Sequence, residues 1–342
     1  MWRNEERGDL TGSIRLAVWG HPYIEFPEGR DDQDTINAAF SRMSDAGISI
    51  YFAFIATEKK ILWASKIVPK PSIDMLSRLV KAGKASGVEV HPIIGFGSIS
   101  PFFRLFPERT YKARSEVDLP QWAEGWVCPS WKENRDLTIK VGEELLEGYE
   151  VGGLHMDYMR YPNAGILAQN PCLCEACRKL RMDWLGKEAL DENDLKSQGI
   201  VYKEIEARNL CVRETVEGLR RITRERGLKL SLAARANYVN DAVVEGQDWV
   251  SWCRDGLLDM VSPMSYTTKF DNFRRLLEEH VRLVGDSTSL FEGIGRSSSA
   301  GVLTPEEMML QIGLAKERGL PGITIFHFNA LTARDLELLK TI

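Results

Sequence analysis

The chain has 342 residues, of which 44% are hydrophobic and 27% are charged, a composition typical of a soluble globular protein with a sizeable core. The length allows two average domains or one large barrel. The 44 lysines and arginines against 49 aspartates and glutamates give a formal net charge of −5. This balance argues against nucleic acid or an anionic membrane surface as the main partner.

No apolar run approaches the ~20 residues that a membrane-spanning helix needs, so we expect no membrane partner. The first nine residues are rich in charge and lack the apolar centre of a secretory signal, which favours a cytoplasmic location. Six cysteines are too few for a disulfide-rich scaffold and suit a reducing compartment. The sequence leaves the oligomeric state open, and a homo-oligomer is one of the alternatives.

Apolar runs with strand character alternate with amphipathic helical runs, which is the pattern of parallel βα units. The fourth strand is the first half of the stretch 152–162. The other predicted strands are Ile14–Trp19, Ile48–Ile55, Val88–Gly95, Leu228–Ala234, Leu258–Met264, Ser289–Ile294 and Gly322–Phe328. The predicted helices are Asp32–Ala46, Ser72–Ser86, Lys132–Leu146, Val201–Arg226, Asp241–Arg254, Asn272–Leu283, Pro305–Arg318 and Thr332–Lys340.

Eight strands and eight helices in strict alternation predict an α/β fold, a single (β/α)₈ TIM barrel over residues 1–342. The alternative is an open doubly wound sheet, which would normally carry a glycine-rich phosphate turn after its first strand. That turn reads Gly-His-Pro-Tyr-Ile here, so a dinucleotide site is not indicated. Two connections are long, the β3–α3 loop at about 96–131 and a cysteine-bearing β4–α4 excursion at 163–199, and such lengths are typical of functional segments.

The stretch 152–162 is the centre of the predicted site. Side chains alternate between the faces of a strand, so His155 and Asp157 share one face. A carboxylate in a packed interior is costly unless something pairs with it, and Arg160 is the candidate partner. We interpret this strand end as the floor of an active site, and a purely structural Asp157–Arg160 ion pair is the alternative.

In barrels of this kind the active site lies at the carboxyl ends of the strands. Polar and aromatic side chains gather at the predicted ends, and together they suit a hydroxylated substrate. These residues are Trp19, His21, Glu58, His91, His155, Asp157, Arg160, Arg235, Asn237, Ser265, Tyr266, Glu292, His327 and Asn329. The long third loop adds aromatic side chains, which either stack on a sugar ring or pack the loop onto the barrel rim. They are Phe102, Phe103, Phe106, Tyr111, Trp122, Trp126 and Trp131.

Four segments resemble a known family of bacterial barrel proteins. Residues 153–162 read Gly-Leu-His-Met-Asp-Tyr-Met-Arg-Tyr-Pro, similar to the D-G-I-H-x-D-Y-x-R-Y-P stretch of the glycosyl-hydrolase-like ten family. The segments 90–92, 129–136 and 261–266 resemble that family's third-strand, helix-entry and sixth-strand elements, in the same order. The resemblance implies a carbohydrate-active barrel that cleaves O-glycosidic bonds.

Glycoside hydrolysis needs two carboxyl groups beside the bond, about 5 Å apart for retention of configuration and further apart for inversion. We expect Asp157 to be the nucleophile or the base and Glu292 to be the general acid, with Glu58 and Asp241 as reserves. The alternative for Glu292 is an outward side chain that contacts a helix. No catalytic cofactor is expected. The predicted substrate-binding residues are Trp19, His91, His155, Arg160, Arg235, Asn237, Tyr266, His327 and Asn329.

Three cysteines lie within six residues, Cys172, Cys174 and Cys177. A tetrahedral zinc ion takes four ligands, and Cys128 could be the fourth. The arrangement resembles the cysteine cluster of family 42 beta-galactosidases, where an early cysteine and a C-x-C-x-x-C run after the fourth strand bind structural zinc. The resemblance implies a structural zinc here, and free thiols or a disulfide are the alternatives.

Two other functions stay open at this stage. His21, His91, His155, His327 and Asp157 could belong to a metal-dependent barrel hydrolase of amides or esters. The absence of a His-x-His pair in the first strand leaves such a metal few ligands. The other function is a non-catalytic carbohydrate-binding barrel, in which the same cavity holds a sugar without cleaving it.

Overall fold

The computed structural model describes residues 14–113, 123–162 and 172–342. Eight parallel strands form a closed barrel in which each strand pairs with the next and the last pairs with the first. The strands are β1 Arg15–Gly20, β2 Ile48–Phe54, β3 Glu89–Ile94, β4 Gly153–Met156, β5 Lys229–Ala234, β6 Met260–Pro263, β7 Ser289–Gly295 and β8 Gly322–Phe326. The predicted (β/α)₈ barrel is confirmed.

Helices lie between the strands and cover the outside of the barrel. They are α1 Pro22–Glu25, α2 Gln33–Asp45, α3 Met75–Ser86, α4 Lys132–Gly148, α5 Glu175–Leu185, α6 Gln198–Glu225, α7 Trp249–Arg254, α8 Phe270–Val284, α9 Pro305–Glu317 and α10 Ala333–Leu339. No helix among the described residues is long and apolar enough to cross a bilayer. The stretches 114–122, which includes Trp122, and 163–171 lie outside the described residues.

The helix predicted over Asp241–Arg254 is shorter than expected. A π-helical turn, Tyr238–Ala242, precedes it, and Gly246 has a left-handed φ of 81°. The helix then begins at Asp248, whose side chain accepts a hydrogen bond from the Ser251 backbone N–H, as an N-cap residue does. The segment 235–247 is therefore an irregular connection above the barrel, and this placement matters for the site.

The barrel interior is filled by an apolar layer of its own, separate from the larger core between strands and helices. Its fully buried members include Ala17, Trp19, Ile50, Phe52 and Ala233. Inward-facing side chains of the strands fill a barrel of this size, so a ligand can enter only above this layer, at the carboxyl end.

The amino end of the barrel is closed by charged side chains from the first residues of three strands. The Glu89 carboxylate lies 3.2 Å from the Arg15 guanidinium, 2.9 Å from the Lys229 ammonium and 3.1 Å from His91 Nε2. The two basic side chains and Glu89 are partly exposed, whereas His91 is fully buried. This end of the barrel is an ion cluster that seals the apolar layer from solvent.

Candidate active site

A cavity of about 700 Å³ opens at the carboxyl end of the barrel, a volume typical of small-molecule sites. All eight strands or the connections that follow them contribute to its wall. A two-stranded hairpin after β7, 297–298 with 301–302, supplies Ser298 and Ser299 to the rim. The cavity therefore lies where the active sites of this fold are found.

Asp157 lies in the cavity wall, one residue after β4, and only 6% of its surface is exposed. Its Oδ1 accepts a hydrogen bond of 2.6 Å from the backbone N–H of Tyr158. Burial raises the pKa of the Asp157 carboxyl to about 6, although the charges of Arg160 and Arg235 act against this rise. At neutral pH this group can exchange a proton with a ligand, as general acids and bases do.

The position of Asp157 depends on a glycine in the neighbouring strand end. The Asp157 N–H donates to the carbonyl of Ile94 over 3.1 Å. The Asp157 carbonyl oxygen occupies the space where Gly95 would carry a side chain, because a Cβ there would come within 1.7 Å of that oxygen. Only glycine allows so close an approach of two backbones, so the ends of β3 and β4 pack directly against each other.

Two arginines and two further carboxylates form an ion network beside Asp157. Glu245 Oε2 lies 3.1 Å from Arg160 Nη1 and 3.3 Å from Arg235 Nε. Arg235 also pairs with Asp241 at 3.0 Å. Arg160 and Glu245 are almost fully buried, whereas Arg235 and Asp241 are about 30% exposed to the cavity side. Burial raises the pKa of Glu245, and the two arginines oppose this rise.

Aromatic side chains form the floor. The Trp19 indole N–H donates to Nε2 of His155 over 2.9 Å, and the His155 ring stacks on Phe52 at 3.8 Å. Burial lowers the pKa of His155 well below its ordinary value, so the ring is neutral and its Nδ1 proton points to Ser231 Oγ, 2.8 Å away. Tyr266 packs edge-on against Trp19 and offers a second aromatic surface to the cavity.

His21 forms part of the opposite wall. Its ring stacks on Phe54 with centroids 4.5 Å apart and meets the edge of the His327 ring at 5.2 Å. Burial, with a smaller effect of the His327 charge, lowers the pKa of His21 to about 4. A neutral imidazole at this place can accept or donate one hydrogen bond toward a ligand.

Six of the predicted site residues lie together in the cavity wall: Asp157, Trp19, Arg160, Arg235, Asn237 and Tyr266. Asp241, a reserve for the second carboxylate, lies there too and accepts a hydrogen bond of 3.1 Å from Asn237. His155 supports Trp19 from below and does not reach the cavity. Glu58, the other reserve, pairs with Arg104 outside the cavity wall.

The predicted general acid, Glu292, does not reach the cavity. It is fully buried on the outer face of β7, where both carboxylate oxygens contact His280 Nδ1 of α8 at 2.9 and 3.1 Å. Phe291 and Gly293 take the inward-facing positions on either side, with Phe291 in the interior layer. The expected role of Glu292 does not fit this position, and its contact with a helix corresponds to the alternative.

Three further predicted substrate-binding residues lie elsewhere. His91 belongs to the ion cluster at the amino end, because its Nε2 faces Glu89. His327 is hydrogen-bonded through Nδ1 to the side chain of Asn329 and packs behind His21, and neither residue lines the cavity. A strand residue reaches the cavity only when it lies near the carboxyl end of its strand and its side chain points inward.

Sequence reasoning missed Glu245 and Tyr158. Tyr158 follows Asp157 directly and has a left-handed φ of 50°, a strained backbone state that is common at functional sites. No sequence signal marks Glu245, because it lies in a segment predicted as helix and its partners come from two other strands. The position of Tyr158 in the motif could have identified it.

A second cluster, of four buried cysteines, lies beside this site. The sulfur atoms of Cys128, Cys172, Cys174 and Cys177 all lie within 4.8 Å of one another. The separation from Cys128 to the other three is 4.0, 3.6 and 3.6 Å. Zinc–sulfur bonds of about 2.3 Å in a tetrahedron place sulfurs about 3.8 Å apart, so the cluster has the geometry of a four-thiolate metal site.

Comparison with solved structures gives the same fold in three carbohydrate enzymes. The glycoside hydrolase domain of PgaB (BpsB) from Bordetella bronchiseptica has a TM-score of 0.76 at 14% identity, with 96% of this chain and 98% of that chain covered. A beta-galactosidase from the psychrophilic Marinomonas ef1 has 0.67 at 12% identity, with 96% and 58% covered. Alpha-L-fucosidase isoenzyme 2 from Paenibacillus thiaminolyticus has 0.63 at 16% identity, with 96% and 48% covered.

These three proteins share the eight-stranded parallel barrel with this chain. Identities this low show the shared fold alone. No family model matches the chain, so the resemblance to the glycosyl-hydrolase-like ten family and that of the cysteines to family 42 stay predictions. An S-layer-related protein of Niallia circulans is 33% identical over 176 residues, which is 45% of this chain and 11% of that protein. The chain thus spans about a tenth of the length of this relative.

Proposed function

We propose that the chain is a glycoside hydrolase that cleaves O-glycosidic bonds of an oligosaccharide or glycoside bound in the cavity above the barrel. The observation that carries the proposal is Asp157, a buried carboxyl with a pKa of about 6 in the wall of a cavity lined by aromatic and hydrogen-bonding side chains. The fold that the chain shares with several glycoside hydrolases supports it.

Asp157 acts as the general acid and protonates the oxygen of the leaving group. This role differs from the expected nucleophile or base, and it is favoured because a carboxyl whose pKa is raised to about 6 holds and donates a proton at a higher pH than an ordinary aspartate does. Asp241 is the second carboxyl group of the reaction, since it lines the same cavity and is ion-paired with Arg235. It serves as nucleophile in a retaining enzyme or as base in an inverting one.

The wall residues bind the sugar in two ways. Tyr266 is partly exposed and offers an aromatic surface on which the apolar face of a sugar ring stacks, and Trp19 lies buried in the floor beneath it. Arg235 and Asn237 are polar and partly exposed to the cavity, so they donate hydrogen bonds to hydroxyl groups. Arg160 is paired with Glu245 and contacts the Tyr158 ring at 4.9 Å, and it holds that side of the wall in place.

The test is a screen of aryl glycosides and oligosaccharides with wild-type protein and Asp157→Asn. We expect turnover of at least one substrate by the wild type and a loss of about a thousandfold or more in kcat for the variant, because the proton donor is gone. Aryl glycosides with good leaving groups need less protonation, so the loss should be smaller for them. Equal turnover by both proteins on every substrate would contradict the role of Asp157.

The same screen decides the carbohydrate-binding alternative. A barrel that binds without cleaving would show saturable binding of one oligosaccharide, unchanged in Asp157→Asn, and no product from either protein. The amide and ester hydrolase fits the arrangement less well. Among the described residues, His91 and His155 lie below the cavity and only His21 of the four histidines lines it, so they do not converge on one metal ion.

We also propose that the four-cysteine cluster binds one structural zinc ion. Four buried thiol groups at tetrahedral spacing support this, and soft thiolates favour zinc. Elemental analysis should give one zinc per chain in the wild type and none in the Cys172→Ser, Cys174→Ser double variant, with a lower melting temperature. Cys253→Ser removes a buried cysteine outside the cluster and should keep the zinc. Zinc that remains at one per chain in the double variant would contradict this assignment.

A further inference from the structure

Glu292 and His280 form a buried pair of ionisable side chains that the proposed reaction does not use. Both side chains are 0% exposed. A buried ion pair adds little net stability compared with apolar residues of the same volume, so its presence behind the cavity calls for another explanation. The contacts of its histidine supply one.

His280 links the pair to the cavity wall. Its Nδ1 contacts the two carboxylate oxygens of Glu292, and its Nε2 lies 2.8 Å from the backbone carbonyl oxygen of Ala236. Ala236 is a wall residue, placed between Arg235 and Asn237. The histidine therefore connects α8 and β7 to the irregular segment that carries the polar groups of the cavity.

Side chains hold the first two residues of that segment, Arg235 and Ala236. The Arg235 N–H donates to Gln247 Oε1 over 2.8 Å, and the Arg235 carbonyl accepts from the Trp249 indole over 3.2 Å. The Ala236 carbonyl is the next carbonyl along the chain, and His280 Nε2 is its partner. Three backbone groups of two adjacent residues are thus held by side chains.

Both ring nitrogens of His280 face acceptors, which fixes the proton arrangement. One proton must lie between Nδ1 and Glu292, and the other must lie on Nε2 and be donated to Ala236. The groups packed around the ring are Glu292 from β7, Glu279 from its own helix and the uncharged Trp249 ring from α7 at 5.9 Å. The carboxylate of Glu292 thus orients the ring so that Nε2 points at the carbonyl.

We propose that Glu292 and His280 are positioning residues, which act through the Ala236 carbonyl to hold Arg235 and Asp241 in place in the cavity. Glu292 sets the direction of the His280 ring, His280 Nε2 binds the carbonyl, and the π-helical turn after it carries Asp241. Neither residue touches the ligand. The effect on ligand binding rests on the proposed function of the cavity, whereas the effect on the position of the segment does not.

Two conservative variants separate positioning from packing. The amide nitrogen of glutamine takes about the place of Nε2, so His280→Gln keeps a donor for Ala236. The amide nitrogen of asparagine takes about the place of Nδ1, so His280→Asn keeps a donor for Glu292 and loses the one for Ala236. Both variants remove the ring and its charge, so both should lower the melting temperature to a similar extent.

The first measurement is hydrogen–deuterium exchange over residues 235–243 in the wild type and both variants. We expect exchange there to rise about tenfold in His280→Asn, the factor that one lost hydrogen bond gives, and to stay near the wild-type rate in His280→Gln. An unchanged rate in His280→Asn, or the same rise in both variants, would overturn the proposal and leave a purely structural ion pair.

The second measurement uses a carbohydrate found in the screen described above. His280→Asn should raise KM or the dissociation constant several-fold, and His280→Gln should restore most of the affinity at a similar melting temperature. If the exchange result holds and both variants bind the carbohydrate like the wild type, Arg235 and Asp241 are not ligand contacts and the functional half of the proposal is overturned. If no carbohydrate binds to any of the three proteins, the proposed function fails, and the exchange result alone decides the positional half.

Discussion

A carboxyl group as buried as that of Asp157 costs the folded state free energy whenever it is ionised. An unfolded aspartate titrates near 3.8 and the folded one near 6, so below the lower value both states hold the proton and there is no penalty. Between the two values the penalty grows as pH rises, and above about pH 6 it is complete. The residue that the proposed reaction needs is therefore one that the fold would keep more easily as a neutral group.

Asp157→Asn should stabilise the protein at neutral pH. The asparagine keeps an oxygen for the Tyr158 N–H and carries no charge, so the variant avoids a penalty on the order of 2–3 kcal/mol at pH 7. Urea unfolding of both proteins at pH 7 and at pH 4 measures this penalty. The difference between the two proteins should be largest at pH 7 and close to zero at pH 4, and a variant that is less stable at pH 7 would contradict this account.

At the scale of single residues, the sequence predicted which residues belong to the site better than it predicted which way their side chains point. Asp157, Arg160 and Arg235 were predicted for the site and line the cavity. Glu292 was predicted as well, but a run such as Leu290-Phe291-Glu292 does not tell which face of a buried strand is inward, and a shift of one residue reverses every side chain. Only its contact with His280 settles the direction.

At the scale of the elements, the close packing of two strand ends determines where Asp157 lies. The β3 end contributes Gly95 and the β4 end contributes the Asp157 carbonyl. Any side chain at position 95 would push the end of β4 away and move the carboxyl group in the cavity. Gly95, which does not line the cavity, therefore controls the geometry of Asp157, which does.

Gly95→Ala should be severely destabilising, with a loss of roughly 3 kcal/mol or more, or no soluble protein, because the added Cβ meets a backbone oxygen. Gly148→Ala is the matched control. Its added Cβ meets nothing within 4 Å, and in α4 alanine favours the helix by up to about 1 kcal/mol. Denaturant unfolding of both variants tests this, and equal stabilities would show that the strand ends can separate at little cost.

The regular elements were predictable because hydrophobic periodicity and caps mark them locally. The predicted strands and helices appear in the predicted order, with boundaries that differ by a few residues except for α7, which begins eight residues later than predicted. The irregular segment 235–247 was not predictable, since its shape depends on hydrogen bonds of the Arg235 backbone with the side chains of Gln247 and Trp249 and on the contact of the Ala236 carbonyl with His280. The helix α5 in the excursion after β4 was missed because only Cys177 and Arg181 of its residues are buried, so no hydrophobic stripe marks it.

At the scale of the whole molecule, the two ends of the barrel carry different groups of side chains. The carboxyl end holds the cavity and its ion network, while the amino end holds the cluster of Arg15, Glu89, His91 and Lys229. An apolar layer separates them. Substitutions at the amino end should therefore change stability and leave ligand affinity alone.

Two histidines allow a matched test of the separation between the two ends of the barrel. His91→Gln and His155→Gln replace equally buried residues of adjacent strands, and both should lower the unfolding free energy by about 1–3 kcal/mol. We expect His91→Gln to bind a carbohydrate ligand like the wild type. His155→Gln should bind it several-fold more weakly because Trp19 loses the support of the ring. Calorimetric titration measures both, and weaker binding in His91→Gln would refute the separation of the two ends.

The separation of cavity and barrel has a consequence for the evolution of the protein. Arg235, Asn237 and Tyr266, which are proposed to contact a sugar, stand beyond the ends of their strands, above side chains that already fill the interior. Mutations in the connections can therefore alter substrate preference without disturbing the scaffold. Divergence of this kind would give proteins that prefer different sugars and share little sequence identity, although they keep the same barrel.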